Sequence, residues 1–145
     1  MRPIKLKIKG LNSFVEEQTI DFEKLTKQGF FGIFGPTGSG KSTILDGMIL
    51  ALYGMKAMSR GTNEFVNKNC KSAQVSYEFQ ITAAQVKRYR VEREFKAGEK
   101  GTKSGKCRLL DVTDGETVLE ESVTGVDRAC VEIIGLTADD LCGRL

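Results

Sequence analysis

The sequence predicts an α/β domain, in which an antiparallel sheet packs around a strand, a phosphate-binding loop and a helix and carries a basic hairpin arm. Three observations predict it. The run Gly35-Pro36-Thr37-Gly38-Ser39-Gly40-Lys41-Ser42-Thr43 joins an apolar stretch to a helical pattern. The N-terminus alternates apolar and basic residues with a period of two. Two further alternating runs follow the helix and lead into a glycine- and lysine-rich segment.

Taken in order, Ile4-Lys5-Leu6-Lys7-Ile8-Lys9 reads as a half-buried strand ended by Gly10, with the isoleucines and leucine inward and the lysines outward. Outward lysines ordinarily protect a solvated sheet edge. Thr19-Ile20-Asp21-Phe22 reads as its partner strand. Phe30-Phe31-Gly32-Ile33-Phe34 is a short buried strand running into the glycine loop. Beyond the loop, Ile44, Leu45, Met48, Ile49 and Leu52 recur at helical spacing, and Gly54 is placed to stop that helix. Residues 56–72 are polar and without period, hence a loop.

Val75, Tyr77, Phe79 and Ile81 then share one face of a strand, and Tyr89, Val91, Arg93 and Phe95 share one face of the next. From Lys96 to Lys106 three glycines among four lysines predict a flexible basic loop. Asp114-Gly115 is a hairpin turn between strands at 108–112 and 117–119. Thr124 and Thr137, each with an aspartate three residues on, look like helix starts; Val126, Cys130, Ile133 and Ile134 give the first of these helices an apolar face, which Gly135 closes.

A single domain is all that 145 residues support. No apolar run is long enough to span a membrane, and the N-terminus lacks the pattern of a secretory signal. The four cysteines are irregularly spaced, which argues against a disulfide framework or a zinc site and for a reducing, cytoplasmic setting. Histidine is absent, which excludes every His-based triad or metal site built from this chain. The net charge of +3 is uneven, because Val86 to Arg108 holds nine Lys and Arg against three acids. A local basic patch of this kind favours polyanions.

The glycine loop carries the most specific chemistry. Successive backbone N–H groups of such a loop form a nest around phosphates, the lysine reaches the β/γ oxygens, and the following hydroxyl ligates Mg²⁺. Gly35, Pro36, Thr37, Gly38, Ser39, Gly40, Lys41, Ser42 and Thr43 are therefore the predicted ATP contacts, with Ser42 as the metal ligand. Hydrolysis requires more, above all an acid at the end of a buried strand to hold the metal's water shell. Asp111 and the Glu120-Glu121 pair lie beside hairpin turns and read as solvated strand ends. Asn67-Lys68-Asn69 approaches a guanine-reading motif but meets Cys70 where the acid belongs. No catalytic residue is expected in this chain.

The stretch Phe34 to Gly54 resembles the opening of the SbcC family, ATPase subunits of bacterial SbcCD nucleases. The lysine-alternating first strand, Gly10-Leu11-Asn12-Ser13-Phe14 and the distal Ile134-Gly135-Leu136-Thr137-Ala138-Asp139-Asp140 resemble it too. The resemblance implies a P-loop NTPase half-domain, the N-terminal lobe of an ABC/SMC-type head, spanning residues 1–145. A coiled coil and a C-terminal lobe bearing the signature loop, metal-assisting acids and water-positioning groups would lie elsewhere. It also implies that Asn12 and Ser13 approach the nucleotide, that ATP and Mg²⁺ are the cofactors, and that two heads dimerise on ATP. The implied partners are the C-terminal lobe, an SbcD-type nuclease acting on double-strand breaks and hairpins, and duplex DNA. Arg93, Lys96, Lys100, Lys103 and Lys106 are then candidate contacts to DNA phosphates. Two other readings remain open: a folding or interaction module without turnover, and a small-molecule P-loop kinase, for which Arg60 is the single hint.

Overall fold

The computed structural model describes residues 1–11, 14–27, 41–55, 66–99 and 101–135. The expected strand at 30–34, the loop from Gly35 to Gly40, Asn12, Ser13, Arg60, Lys100 and the second helix start at Thr137 lie outside the described residues, as do the side chains of Lys41, Ser42 and Thr43.

Among the described residues the chain runs β1 (Arg2–Lys9), β2 (Gln18–Asp21), α1 (Phe22–Lys27), α2 (Lys41–Tyr53), β3 (Ser72–Thr82), β4 (Val86–Gly98), β5 (Gly101–Asp111), β6 (Thr117–Glu120) and α3 (Val123–Ile134). The strands form one antiparallel sheet in the order β2-β1-β3-β4-β5-β6. The α/β class is as the sequence predicts.

The alternation of β1 works as read, with Ile4, Leu6 and Ile8 buried. Its lysines do not guard an edge, however, because β1 lies between β2 and β3. They stand on the open face of the sheet. Ala73, Val75, Tyr77 and Phe79 of β3 and Val91 and Phe95 of β4 point to the opposite face and are buried. Phe79 pairs in register with Tyr89, their rings 5.7 Å apart. Such cross-strand aromatic pairs pin register.

Helix α2 lies on that apolar face. Its predicted stripe is present, but Leu50, Ala51 and Tyr53 are buried as well, so its C-terminal half is enclosed nearly all round. Gly47 lets the helix approach β1: a Cβ there would sit 3.0 Å from Ile8 Cδ1. Gly54, in the left-handed region at φ +76, ends the helix with its N–H donating to Leu50 O at 2.9 Å.

Three elements differ from the sequence reading. Phe22 opens α1 instead of ending a strand, because the Asp21 carboxylate accepts from the Lys24 N–H at 3.2 Å and so caps a helix. Helix α3 starts at Ser122, not Thr124: the Ser122 hydroxyl accepts from Gly125 N at 3.0 Å. Gly135 closes α3 as expected, at φ +76. Residues 96–98 and 101–106 do not form a flexible loop but the paired end of a long hairpin, with Lys96 opposite Lys103 and Gly98 opposite Gly101.

Gly10 holds φ +71 where β1 leaves the sheet, and a Cβ there would lie 2.4 Å from the Ser72 carbonyl oxygen. Gly115 holds φ +105 with nothing within 4 Å of a Cβ. Gly10→Ala is therefore expected to destabilise by more than about 2 kcal/mol, and Gly115→Ala by about 1 kcal/mol from backbone strain alone. Urea unfolding midpoints of the two variants check the ordering.

Candidate functional site

The site is built on the two ends of α2. Its N-terminus is Lys41, so the helix begins where the glycine loop of the sequence hands over to it, and no acidic residue occupies the first turn. A helix N-terminus without carboxylates keeps its N–H groups and positive dipole end for an external anion. The donor set on and before that turn (glycine amides, one ammonium, one hydroxyl) fits a triphosphate with Mg²⁺.

The C-terminus of α2 carries no basic residue of its own in the last turn. The cation comes from the sheet. Arg93 of β4 points inward with a side chain only 2% exposed. Its Nε donates to Ala51 O at 2.7 Å and its Nη2 to Leu52 O at 3.1 Å. Nη2 also lies 2.7 Å from Asp127 Oδ1 of α3. That oxygen is buried and makes no hydrogen bond among the described residues, so its contact with Arg93 is one of charge rather than an aligned hydrogen bond. Arg93 thus fixes α2, α3 and β4 to one another.

This corrects one predicted contact. Arg93 cannot reach a DNA phosphate, because its guanidinium is held by two helix carbonyls and a carboxylate inside the domain. The sequence did carry the signal, since Arg93 alternates in phase with Tyr89, Val91 and Phe95, and an arginine at a core position requires buried partners.

The remaining described lysines of the arm do face outward. Lys96, Lys103 and Lys106 are exposed. Lys96 and Lys103 are direct cross-strand partners, an arrangement of like charges that costs stability unless an anion intervenes. Lys96 lies 3.9 Å from Glu94, and neither Lys103 nor Lys106 has an ion pair among the described residues. Nearer the root of the hairpin the positive charge is largely neutralised: Arg88 pairs with Glu23 at 2.9 Å, Arg90 with Glu92 and Glu116 at 2.8 and 2.6 Å, and Arg108 with Glu92 at 2.7 Å. The open sheet face forms a concavity of about 800 Å³ whose wall mixes Lys5, Lys7, Lys9, Lys106 and Arg108 with Glu17, Glu78, Glu92, Glu94 and Glu121.

The candidate metal-holding acids are occupied as strand ends. Asp111 accepts from Thr113 N at 3.0 Å and lies 3.9 Å from Lys87 Nζ. Those Thr113 contacts, with Lys87 behind them, hold its carboxyl below the usual range. Glu120 and Glu121 are exposed. Among the described residues no cluster of His, Cys, Asp and Glu is placed to bind a metal, and no helix is long and apolar enough to cross a membrane.

A family model described as an AAA domain matches residues 5–133. The SbcC subunit of the SbcCD nuclease from Clostridium acetobutylicum is 54% identical over 143 residues, covering 97% of this chain and 12% of that protein. The Bacillus subtilis protein of the same name is 47% identical over 142 residues, 97% of this chain and 13% of that protein. That of Vibrio cholerae is 34% identical over 94% of this chain and 14% of its own length. The chain therefore spans a small fraction of the length of the relatives it matches. Among solved structures, the SMC head domain from Thermotoga maritima covers 83% of this chain and 39% of its own, at 24% identity and a TM-score of 0.44.

Burial, aided by the charges of Asp127 and Cys107 against that of Arg93, pushes the Cys130 thiol up to about 12 from an ordinary 9.0. The folded protein thus holds this proton more tightly than the unfolded chain. The stability so gained is whole below pH 9 and drains away as pH rises toward 12, at no more than about 1.4 kcal/mol per pH unit. Cys130→Ala is expected to make the alkaline fall of the urea midpoint between pH 9 and 10.5 shallower. It leaves the part due to Cys107 and Tyr77, both also raised by burial.

Proposed function

The chain belongs to the AAA domain family, and on that premise we propose that it binds ATP with Mg²⁺ as the N-terminal lobe of a DNA-repair ATPase. The observation that carries this reading is α2, which starts at Lys41 directly after the glycine loop, presents no acid at that end, and is buried against the sheet through its C-terminal half.

In this reading Gly35, Gly38 and Gly40 let the backbone approach the phosphates, while amides through Thr43 donate to them. Lys41 balances the β/γ charge and Ser42 ligates Mg²⁺. Mg²⁺, when bound, supplies neutralisation of the phosphate oxygens. Pro36, Thr37 and Ser39 shape the loop, and Asn12 and Ser13 approach the nucleotide from the end of β1. Turnover rests on groups from a C-terminal lobe and a second head, which ATP clamps together. The dimer gates an SbcD-type nuclease at DNA double-strand breaks and hairpins, in the cytoplasm. Binding energy that differs between the ATP and ADP states is what drives such a switch.

Duplex DNA is the polyanion that suits the arm. Lys96, Lys103 and Lys106 lie on the hairpin, where Lys103 and Lys106 have no ion pair among the described residues; with Lys100 they are the proposed phosphate contacts, which position a protein without reading sequence.

A second reading is favoured by β6, an edge strand on which Val118 and Leu119 are 41% and 44% exposed. An open apolar edge invites a covering partner. On that reading the chain is an interaction module, and it runs larger than a monomer on size exclusion without responding to nucleotide.

If ATP binds, Mg-ATP at a hundredfold excess over Kd stabilises the chain by about 2.7 kcal/mol, seen as a raised Tm. Lys41→Ala abolishes that rise, and an equal rise in both proteins would remove the basis for the reading. For the arm, replacing Lys96, Lys103 and Lys106 together by Ala makes the fall of log K with log salt for a duplex shallower, by about 0.9 for each phosphate no longer neutralised. An unchanged slope would assign those lysines to solubility alone.

A further inference from the structure

We propose that Arg93 is a positioning residue for nucleotide binding, which sets the axial position of α2 and hence of the phosphate-binding turn at its far end. The inference rests on the reading of that turn as a nucleotide site.

Most of what holds α2 in place is apolar. Met48, Leu50, Ala51 and Leu52 are buried in the core, and Gly47 lies over Ile8 and Leu6. Apolar burial is non-directional: it keeps a helix on a sheet, and close packing leaves its axial position to be fixed to fractions of an ångström by polar contacts. Directional contacts are needed to fix that coordinate. At the C-terminal end Arg93 supplies two, to Ala51 O and Leu52 O, which belong to the last turn and have no partner within the helix.

The guanidinium is itself immobilised. Asp127 holds it from α3, and Gly54 leaves it room, since a Cβ at that position would lie 3.0 Å from Nη1. At 1.5 Å per residue, the rise of α2 from Lys41 to Ala51 and Leu52 places Lys41 roughly 16 Å from this clamp. A helix transmits an axial shift along its length with little loss. An error of about an ångström at the phosphate end degrades hydrogen bonds that depend on geometry. The positive charge also stabilises the negative end of the helix dipole. Arginine suits the role because its rigid fork serves two carbonyls and a carboxylate together, which a lysine ammonium does not.

The test separates positioning from simple stability. Arg93→Lys keeps the charge and loses the fork. Leu109→Ala, in the core on β5, serves as a control that lowers stability while leaving every polar partner of the Arg93 guanidinium in place. Mg-ATP affinity of the 145-residue chain is measured by calorimetry at a temperature where circular dichroism shows each protein folded. Arg93→Lys is expected to weaken Kd about tenfold, while Leu109→Ala stays within about twofold. If Arg93→Lys weakens binding no more than the control does, Arg93 is only structural and the proposal fails. If the unaltered chain shows no saturable binding of Mg-ATP, the nucleotide reading fails and takes this inference with it. Should Arg93→Lys not fold, Asp127→Asn carries the test. It leaves the arginine without its counter-charge, and an expected loss of about threefold replaces the tenfold; unchanged affinity overturns the proposal.

Discussion

The guanidinium of Arg93 is the constraint on which the arrangement of helices over the sheet depends. It is a charge almost wholly removed from water, and such a charge is costly unless paired and hydrogen-bonded. Here the compensation comes from three elements that are distant in sequence: the last turn of α2, the first half of α3 and the middle of β4. Removing any one leaves the others with an uncompensated charge or orphaned carbonyls, a loss of about 3–5 kcal/mol for a broken buried pair. Cys107 and Cys130 lie near enough for the same charges to act on their thiols, so this corner of the core is electrostatically organised.

The sheet divides the charge of the chain between two tasks. Its inner face holds Arg93 among mostly apolar side chains, while its outer face carries the lysines of β1 and the arginines of β4 and β5 paired with glutamates. The pairs Arg90–Glu116 and Arg108–Glu92 neutralise the root of the hairpin. Beyond the bulge between Arg93 and Phe95 the acids thin out and lysines stand opposite each other. The basic window of the sequence is therefore not one patch but a neutralised base and a charged tip.

Alternation makes β1, β3 and β4 legible because side chains in a strand divide strictly between two faces, and the turn at Asp114-Gly115 is legible because glycine takes the positive φ it needs. Gly54 and Gly135 marked the ends of α2 and α3 for the same reason. What misled was local. Asp21 serves both as the last residue of β2 and as the cap of α1, and Ser122 competes with Thr124 as a cap two residues on. The run from Lys96 to Lys106 looked flexible because glycine and lysine are poor strand formers. Pairing across the hairpin outweighs that propensity. The charge of Arg93 groups it with its basic neighbours in sequence, although its phase in the strand places it with the core.

The two ends of α2 follow one electrostatic logic. An isolated helix of this length is marginal in water and ordinarily recruits acids to its first turn and bases to its last. This one has neither. At the C-terminus the missing base is replaced by an arginine from another strand, which binds the carbonyls more rigidly than a flexible side chain on the helix itself would. At the N-terminus an acid would satisfy the amides and, by doing so, compete with a phosphate. A helix fixed at one end by the fold and free of acids in its first turn is suited to bind an anion at a defined place, and that is the property the glycine loop before Lys41 would exploit.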